Sequence, residues 1–312
     1  MTQEFTRTKP GPVLFFKGMA MGVADSVPGV SGGTIAVMAG IYEELVHSLR
    51  NLDPRNLPGY CRRGPAGFWL AINGSFLLVL LLGIVSSLYL SASTVLYLLD
   101  THYPQLMAFF CGLVFASTWF LRRQIERWQF THIVLLLLGV GVTLVTAVLN
   151  PISGEGSYPY LFFCGALAIC AMILPGISGA FILILLGVYD QVLNALRSLE
   201  ILTIVVFAAG CASGLLSFSH LLSWTFRYHR EHTYAFLTGM LLASVVVLWP
   251  WKLQPEDAAG QVQYLSPRAY EVAGTAPADI PLTALLFILG FALVLIFERI
   301  SRSQPDPAND VK

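Results

Sequence analysis

The residues best suited to chemistry stand in two copies of one short motif, Pro-Gly-x-Ser-Gly, at residues 28–32 and 175–179. Each copy offers a serine hydroxyl and glycine N–H groups, and an apolar segment that could form a short helix follows. Helix N-termini of this kind bind anions, phosphate above all, and glycine lets the anion approach the backbone. We therefore predict phosphate ligands at Ser31, Gly29, Gly32, Gly33, Ser178, Gly176 and Gly179. The alternative is that these glycines only allow close packing.

The motif belongs to a longer internal repeat. Residues 17–52 match residues 164–199 without a gap, at an offset of 147. The pairs include Gly40 with Gly187 and Tyr42 with Tyr189. A later segment matches at an offset of 127, as in His102 with His229. Such a repeat predicts two structural units, which we place at residues 1–150 and 151–312 of one integrated transmembrane domain.

Charged residues within the repeat extend the predicted site. Arg50 and Arg197 are matched and end equivalent segments. An arginine at the headgroup boundary can bind a phosphate through two N–H groups, although snorkelling to the interface is an equally good interpretation.

Three carboxylates, Asp25, Glu43 and Asp190, lie in or beside apolar segments, where charge is costly and often functional. They are candidates for coupling transport to protons or another ion, unless Glu43 simply lies in a hydrated final turn. We find no nucleophile–base pair, Walker loop or metal-ligand spacing. The sequence thus predicts no catalytic residue, no metal and no cofactor.

The composition indicates a membrane protein. Hydrophobic residues make up 56% of the chain and charged residues 12%, with a mean hydropathy of +0.70. A soluble domain carries about 25% charged residues, so most of this surface must face lipid. The net charge of zero argues against a nucleic-acid partner.

Each motif interrupts two apolar arms that are too short to span a bilayer. We predict re-entrant helical hairpins at residues 11–50 and 159–198, with return arms at 34–49 and 180–196. Broken backbone at membrane depth must be buried in protein or line a wet cavity. One kinked spanning helix is the alternative.

Six longer apolar segments are predicted to span the membrane, three in each half. They are residues 68–90, 104–121, 131–149, 201–224, 233–249 and 280–297, with a loop at 91–103 after the first. Three spans are an odd number, so a hairpin that returns to its own side leaves the two halves inverted. The predicted fold is therefore an all-α polytopic membrane protein made of two inverted-topology repeats.

Basic residues orient this topology. With both termini in the cytoplasm, only Arg197, Lys252 and Arg268 of the 18 basic residues fall outside. Cytoplasmic loops are expected to carry such an excess of Lys and Arg.

The run GMAMGVADSVPGVSGGTIAVMAGIYEELV and its echo LPGISGAFILILLGVYDQVLNAL resemble the PopT-type polyprenyl-phosphate translocases, formerly a bacterial and archaeal membrane domain of unknown function. The resemblance covers essentially the whole chain. It implies a flippase that returns undecaprenyl phosphate from the outer to the inner leaflet of the bacterial cytoplasmic membrane, for reuse in peptidoglycan and other cell-envelope polymers. The partner implied is a polyprenyl-phosphate lipid.

Two other functions stay open at this point. Membrane polyprenyl-pyrophosphate phosphatases are similar in their hairpins and Pro-Gly-x-Ser element, but need an arginine there and a nearby glutamate pair. Here glycines, Gly32 and Gly179, follow the serines. An ion-coupled carrier of a small soluble anion is the other alternative.

Overall fold

The computed structural model describes residue 8 and residues 10–27, 30–53, 64–149, 156–253, 262–273 and 277–302, and this part of the chain is mostly helical. The helices are α1 Pro12–Asp25, α2 Gly32–Met38, α3 Tyr42–Arg50, α4 Gly64–Ala71, α5 Gly74–Thr101, α6 Tyr103–Arg122, α7 Phe130–Val148, α8 Tyr158–Ile173, α9 Gly179–Leu185, α10 Tyr189–Ser198, α11 Ile201–Tyr228, α12 Arg230–Val247, α13 Pro267–Val272 and α14 Ile280–Arg302. Two short strands, β1 Lys252–Leu253 and β2 Gln263–Tyr264, pair antiparallel after α12.

Long apolar helices make this a multi-pass membrane protein. Among the described residues, Tyr103–Arg122, Phe130–Ala147 and Ile201–Tyr228 are long and apolar enough to cross a bilayer, and two bent helix pairs bring the total to as many as 5. Large apolar side chains on the outside of these helices are solvent-exposed in the isolated chain, for example Leu137 at 61% and Val205 at 57%. An apolar exterior of this kind suits lipid and not water.

The first predicted span differs from the structure. Residues 91–101 are helical and extend α5 to Thr101, so the predicted loop at 91–103 is wrong. Its residues, Ser91 to Thr101, contain no glycine or proline to stop the helix. The segment 68–90 is also not one helix, because α4 and the first part of α5 meet at 63° around Asn73, whose φ is 55°.

Each predicted return arm is two helices rather than one. α2 ends before Gly40, where φ is +67°, and α9 ends before Gly187, where φ is +69°. This left-handed backbone is inexpensive only for glycine, which explains the matched glycines in the repeat. In the second half the chain turns by 106° between α9 and α10.

The two halves share backbone geometry at their matched positions. His102, which precedes α6, has φ −134° and ψ 39°, and His229, which precedes α12, has φ −138° and ψ 47°. Ile41 and Val188 agree within a few degrees, at −110° and 1° against −112° and 0°. The sequence repeat is therefore also a repeat of local structure.

Pairs of glycines hold the long helices together. α1 packs on α5, α8 on α11, α6 on α14 and α12 on α7, and each interface has a glycine on both helices. The pairs are Gly18 with Gly83, Gly165 with Gly210, Gly112 with Gly290 and Gly239 with Gly139. Small residues allow this close backbone approach in membranes. The first two pairs are repeat equivalents of each other, and so are the last two.

The centre of the molecule contains α2, α6 and α12. Met107, Leu237 and Met240 are fully buried there at 0% exposure. α6 and α12 run antiparallel, since the Cys111 Sγ donates to the Val245 carbonyl at 3.7 Å while Lys252, beyond α12, lies over the Tyr103 ring. Repeat-equivalent helices thus meet in the middle with opposite directions.

A glycine substitution tests this packing. In Gly210→Ala the new Cβ would lie 2.8 Å from the carbonyl carbon of Phe162, so the helices must separate. We expect a loss of about 1–3 kcal/mol, the usual cost of overpacking, seen as a lower Tm in detergent by tryptophan fluorescence. The control is Gly141→Ala, because nothing lies within 4 Å of its Cβ position. Equal Tm values for both variants would contradict the assignment.

Candidate functional site

The two predicted hairpin tips are in contact. Ser31 caps α2, and its Oγ accepts from the Gly33 N–H at 3.1 Å. The same Oγ donates to the Met172 carbonyl at 3.1 Å, with the Leu174 carbonyl at 3.3 Å beside it. Met172 and Leu174 lie at the end of α8, directly before the second Pro-Gly motif. The structure therefore brings the two copies of the motif together.

Two further contacts fasten the first hairpin to the second tip. The Tyr42 hydroxyl donates to the Ile173 carbonyl at 3.2 Å. A Cβ at Gly33 would lie 2.5 Å from the same carbonyl oxygen, so this position must be glycine. The need for glycine at residue 33 is thus a matter of close approach in this structure.

The N–H groups of the first tip already have partners inside the protein. The Gly32 N–H donates to Asp25 Oδ1 at 2.6 Å, and the Gly33 N–H donates to Ser31. A carboxylate therefore occupies the anion position at the start of α2. Gly29, a further predicted ligand, lies outside the described residues.

The second tip has a different set of partners. Residue 172, the repeat equivalent of Asp25, is methionine, so this tip has no equivalent carboxylate. The Ser178 side chain is half-buried and makes no capping hydrogen bond to α9. Gly176, at φ +96°, accepts a hydrogen bond on its carbonyl from the Ser244 hydroxyl at 3.0 Å. Ser178 is thus more available to a ligand than Ser31.

In each hairpin, a side chain of the first helix donates a hydrogen bond to a carbonyl at the break in the return arm. The Lys17 ammonium donates to the Ala39 carbonyl at 2.7 Å, and the Tyr160 hydroxyl donates to the Leu186 carbonyl at 2.9 Å. Ala39 and Leu186 are repeat equivalents. These contacts span each hairpin from its first helix to the end of the returning one, so both segments fold back on themselves.

The two predicted arginines differ in their surroundings. Arg50 is half-buried, and its Nη1 donates to the Ser223 hydroxyl on α11 at 3.1 Å. Arg197 is exposed at the end of α10. The structure therefore does not bring these two arginines to one place.

The predicted carboxylates also differ between the halves. Glu43 accepts from Arg230 Nε at 3.0 Å and Nη2 at 2.9 Å, and from the Tyr234 hydroxyl. Its equivalent, Asp190, is exposed. Glu43 itself lies in the first turn of α3, paired with the exposed Arg230. Sequence reasoning missed Arg230 and Tyr234, because their role depends on α3 packing against another helix.

The residue that follows each of these acids forms hydrogen bonds that hold a neighbouring backbone segment in place. Glu44 accepts from the Thr8 N–H at 3.0 Å and from Asn73 Nδ2 at 2.9 Å. Its equivalent, Gln191, exchanges two hydrogen bonds with the Gly156 backbone, at 2.9 and 3.1 Å. Both side chains anchor the backbone just before a hairpin begins. Within the described residues no cluster of His, Cys, Asp or Glu could hold a metal ion.

Comparisons with known proteins identify the family of this chain. Residues 21–263 match the family model VCA0040-like, described as undecaprenyl phosphate translocase-like. The chain belongs to this family.

Two curated relatives carry the name polyprenyl-phosphate transporter. One, from Vibrio cholerae serotype O1, is 41% identical over 293 residues, which cover 91% of this chain and 95% of that protein. The other, from Staphylococcus aureus, is 30% identical over 255 residues, 75% of this chain and 84% of that protein. The comparison with solved structures gives no significant match.

The two serines of this family member should differ in their structural importance. Ser31→Ala removes a helix cap and a contact between the tips, whereas Ser178→Ala removes no capping bond. We expect Ser31→Ala to lose about 0.5–2 kcal/mol, the usual value of a cap, and Ser178→Ala to lose little. Thermal unfolding of both purified variants measures this. An equal or larger loss for Ser178→Ala would contradict the described contacts.

Proposed function

We propose that this protein is a flippase that moves undecaprenyl phosphate from the outer to the inner leaflet of the bacterial cytoplasmic membrane. The names of both relatives support a polyprenyl-phosphate substrate. The headgroup crosses through a site between the two hairpin tips, while the prenyl tail stays in lipid. The recovered lipid then serves peptidoglycan and other envelope polymers.

The proposed architecture is a pair of inverted repeats, each with a re-entrant hairpin and three spans. Its support is the antiparallel contact between α6 and α12, which are repeat equivalents. Inverted repeats with broken helices at a central site are a recurrent transporter design. Both termini and the Arg50 end of the molecule are assigned to the cytoplasm, following the distribution of basic residues.

The observation that carries the proposal is the difference between the two tips. Asp25 fills the anion position of the first tip, while the second tip has Met172 in its place and a serine free of capping. A phosphate arriving at the second tip meets an available hydroxyl and the start of α9. At the first tip it must displace a carboxylate. We propose that the headgroup binds first at Ser178 and that competition from Asp25 aids its release.

The conformation in this structure favours entry of the lipid headgroup from the outer leaflet. On the cytoplasmic side of the proposed topology, α3 packs against α11 and Glu43 pairs with Arg230. On the other side Asp190 and Arg197 are exposed. The proposed path runs from Arg197 to Ser178, across to Ser31 after a conformational change, and out past Arg50. Asp25, Glu43 and Asp190 are the proposed coupling carboxylates for protons or another ion.

Transport in liposomes tests the proposal. Purified protein is reconstituted with undecaprenyl phosphate in both leaflets, and a soluble phosphatase is added outside. We expect hydrolysis to pass beyond the outer-leaflet share of the lipid, because the protein brings inner-leaflet lipid to the enzyme. Protein-free liposomes are the control. Hydrolysis that stops at the outer-leaflet share would overturn the proposal, and phosphate release from a polyprenyl pyrophosphate without added phosphatase would indicate an enzyme instead.

Replacing Arg197 tests whether this side chain binds the phosphate headgroup or only adds positive charge to its side of the membrane. Arg197→Ala should slow transport by roughly 10- to 150-fold, since one charge-assisted hydrogen bond contributes roughly 1.5–3 kcal/mol. Its Tm should not change, because the side chain is exposed. The control is Arg268→Ala, which removes another exposed cation assigned to the same side, on α13. Equal transport rates in the two variants would exclude a specific role for Arg197.

A further inference from the structure

The two halves differ in how the last helix of each hairpin is docked. α3 packs against α11, and Glu43 on it is bound by Arg230 and Tyr234 at the start of α12. Arg50, at its other end, bonds to Ser223. These contacts hold α3 against the second half of the molecule. In the same arrangement Tyr42 is only 4% exposed.

The equivalent helix of the second hairpin, α10, is not held in this way among the described residues. α10 packs against α9 and α11, but among the described residues it has no comparable interface with α5, the equivalent partner. Tyr189, the equivalent of Tyr42, is 37% exposed. Asp190, the equivalent of Glu43, is exposed as well. Since the backbone around Gly40 and Gly187 is the same, the difference lies in how the helix docks and not in its fold.

The repeat identifies where α10 would dock. Glu43 meets the start of α12, so Asp190 would meet the start of α6. The residue equivalent to Arg230 there is Tyr103, which carries no positive charge. A cation is nevertheless present, because the Lys252 Nζ lies 5.8 Å from the centre of the Tyr103 ring.

Lys252 comes from β1, beyond α12, and has no counterpart in the first half. Its amine donates to the Val247 carbonyl at 2.8 Å, and none of the ion pairs among the described residues includes it. Burial lowers the pKa of Lys252 to about 8. A nearby carboxylate would offset that desolvation and favour the charged form. Among the described residues, this half-buried amine has no carboxylate partner.

We propose that Asp190 and Lys252 form the second of two alternating gates. In the present conformation Glu43 and Arg230 close the first gate and the second is open. In the other conformation α10 docks on α6, Asp190 pairs with Lys252 beside Tyr103, and the first gate opens. This inference rests on the alternating access of the proposed function.

Cross-linking of paired cysteines tests the two gates. The background is a variant with all five native cysteines replaced. Asp190→Cys with Lys252→Cys reports the second gate, and Glu43→Cys with Arg230→Cys reports the first. Bifunctional methanethiosulfonates of short span are used, because long paired side chains separate Cα atoms beyond the roughly 4.4–6.8 Å of a disulfide. Mass spectrometry of the digested protein measures the yield.

We expect each pair to cross-link, each cross-link to stop transport, and reduction to restore it. Adding Glu43→Gln to the second pair should raise its yield severalfold, because weakening one gate favours the conformation in which the other is closed. A purely structural role for Glu43 would not change that yield. The matched control is Asp190→Cys with Arg268→Cys, which should not respond to Glu43→Gln.

The outcomes separate this inference from the proposed function. A cysteine-free parent that transports, with a second pair that never cross-links or does not respond to Glu43→Gln, would overturn the gate and leave the transporter standing. A parent that does not transport while both pairs cross-link as described would overturn the transport proposal and keep the two-state motion. Detection of the first cross-link shows that the cysteine background folds.

Discussion

Backbone polar groups that leave a helix inside a bilayer must find partners within the protein, and this constraint shapes the whole molecule. Each hairpin breaks its helices twice, at the Pro-Gly motif and at Gly40 or Gly187. The freed carbonyls before the second break accept from Lys17 in one half and Tyr160 in the other. At the second tip, the carbonyls of residues 172–174 accept from Ser31 and Tyr42 of the first hairpin. The partners of these breaks therefore bring the two hairpins into contact, and the proposed site lies at that contact.

The two copies share backbone geometry but differ in the side chains that interact with it. Asp25 neutralises the start of α2, while methionine stands in the equivalent place before α9. Glu43 is held by Arg230 and Tyr234, while Asp190 is exposed. A transporter needs two conformations of similar free energy that expose the site to opposite sides. In the proposed transport cycle, repeated backbone with unequal polar partners would give such a pair of states without requiring any helix to refold.

Much of this fold could be predicted from residue types and spacing. The internal repeat, the broken segments and the membrane environment all follow from the positions of glycine, proline and apolar residues. The glycine bends at 40 and 187 could not be predicted as breaks, because glycine is tolerated in membrane helices and only the positive φ identifies its role. Nor could the partners of Glu43 be found, since Arg230 lies far along the chain and reaches α3 only through tertiary packing. The contact between Asp25 and the start of α2 could not be predicted either, because sequence spacing alone does not show that a carboxylate seven residues earlier accepts from the Gly32 N–H.

A structure of the protein in lipid nanodiscs with undecaprenyl phosphate tests the central claim most directly. The account predicts density for the phosphate between the two Pro-Gly-x-Ser-Gly tips, within hydrogen-bond distance of Ser178, with the prenyl chain passing into the surrounding lipid. Phosphate density elsewhere, with both tips closed against each other and away from the lipid headgroup, would contradict it.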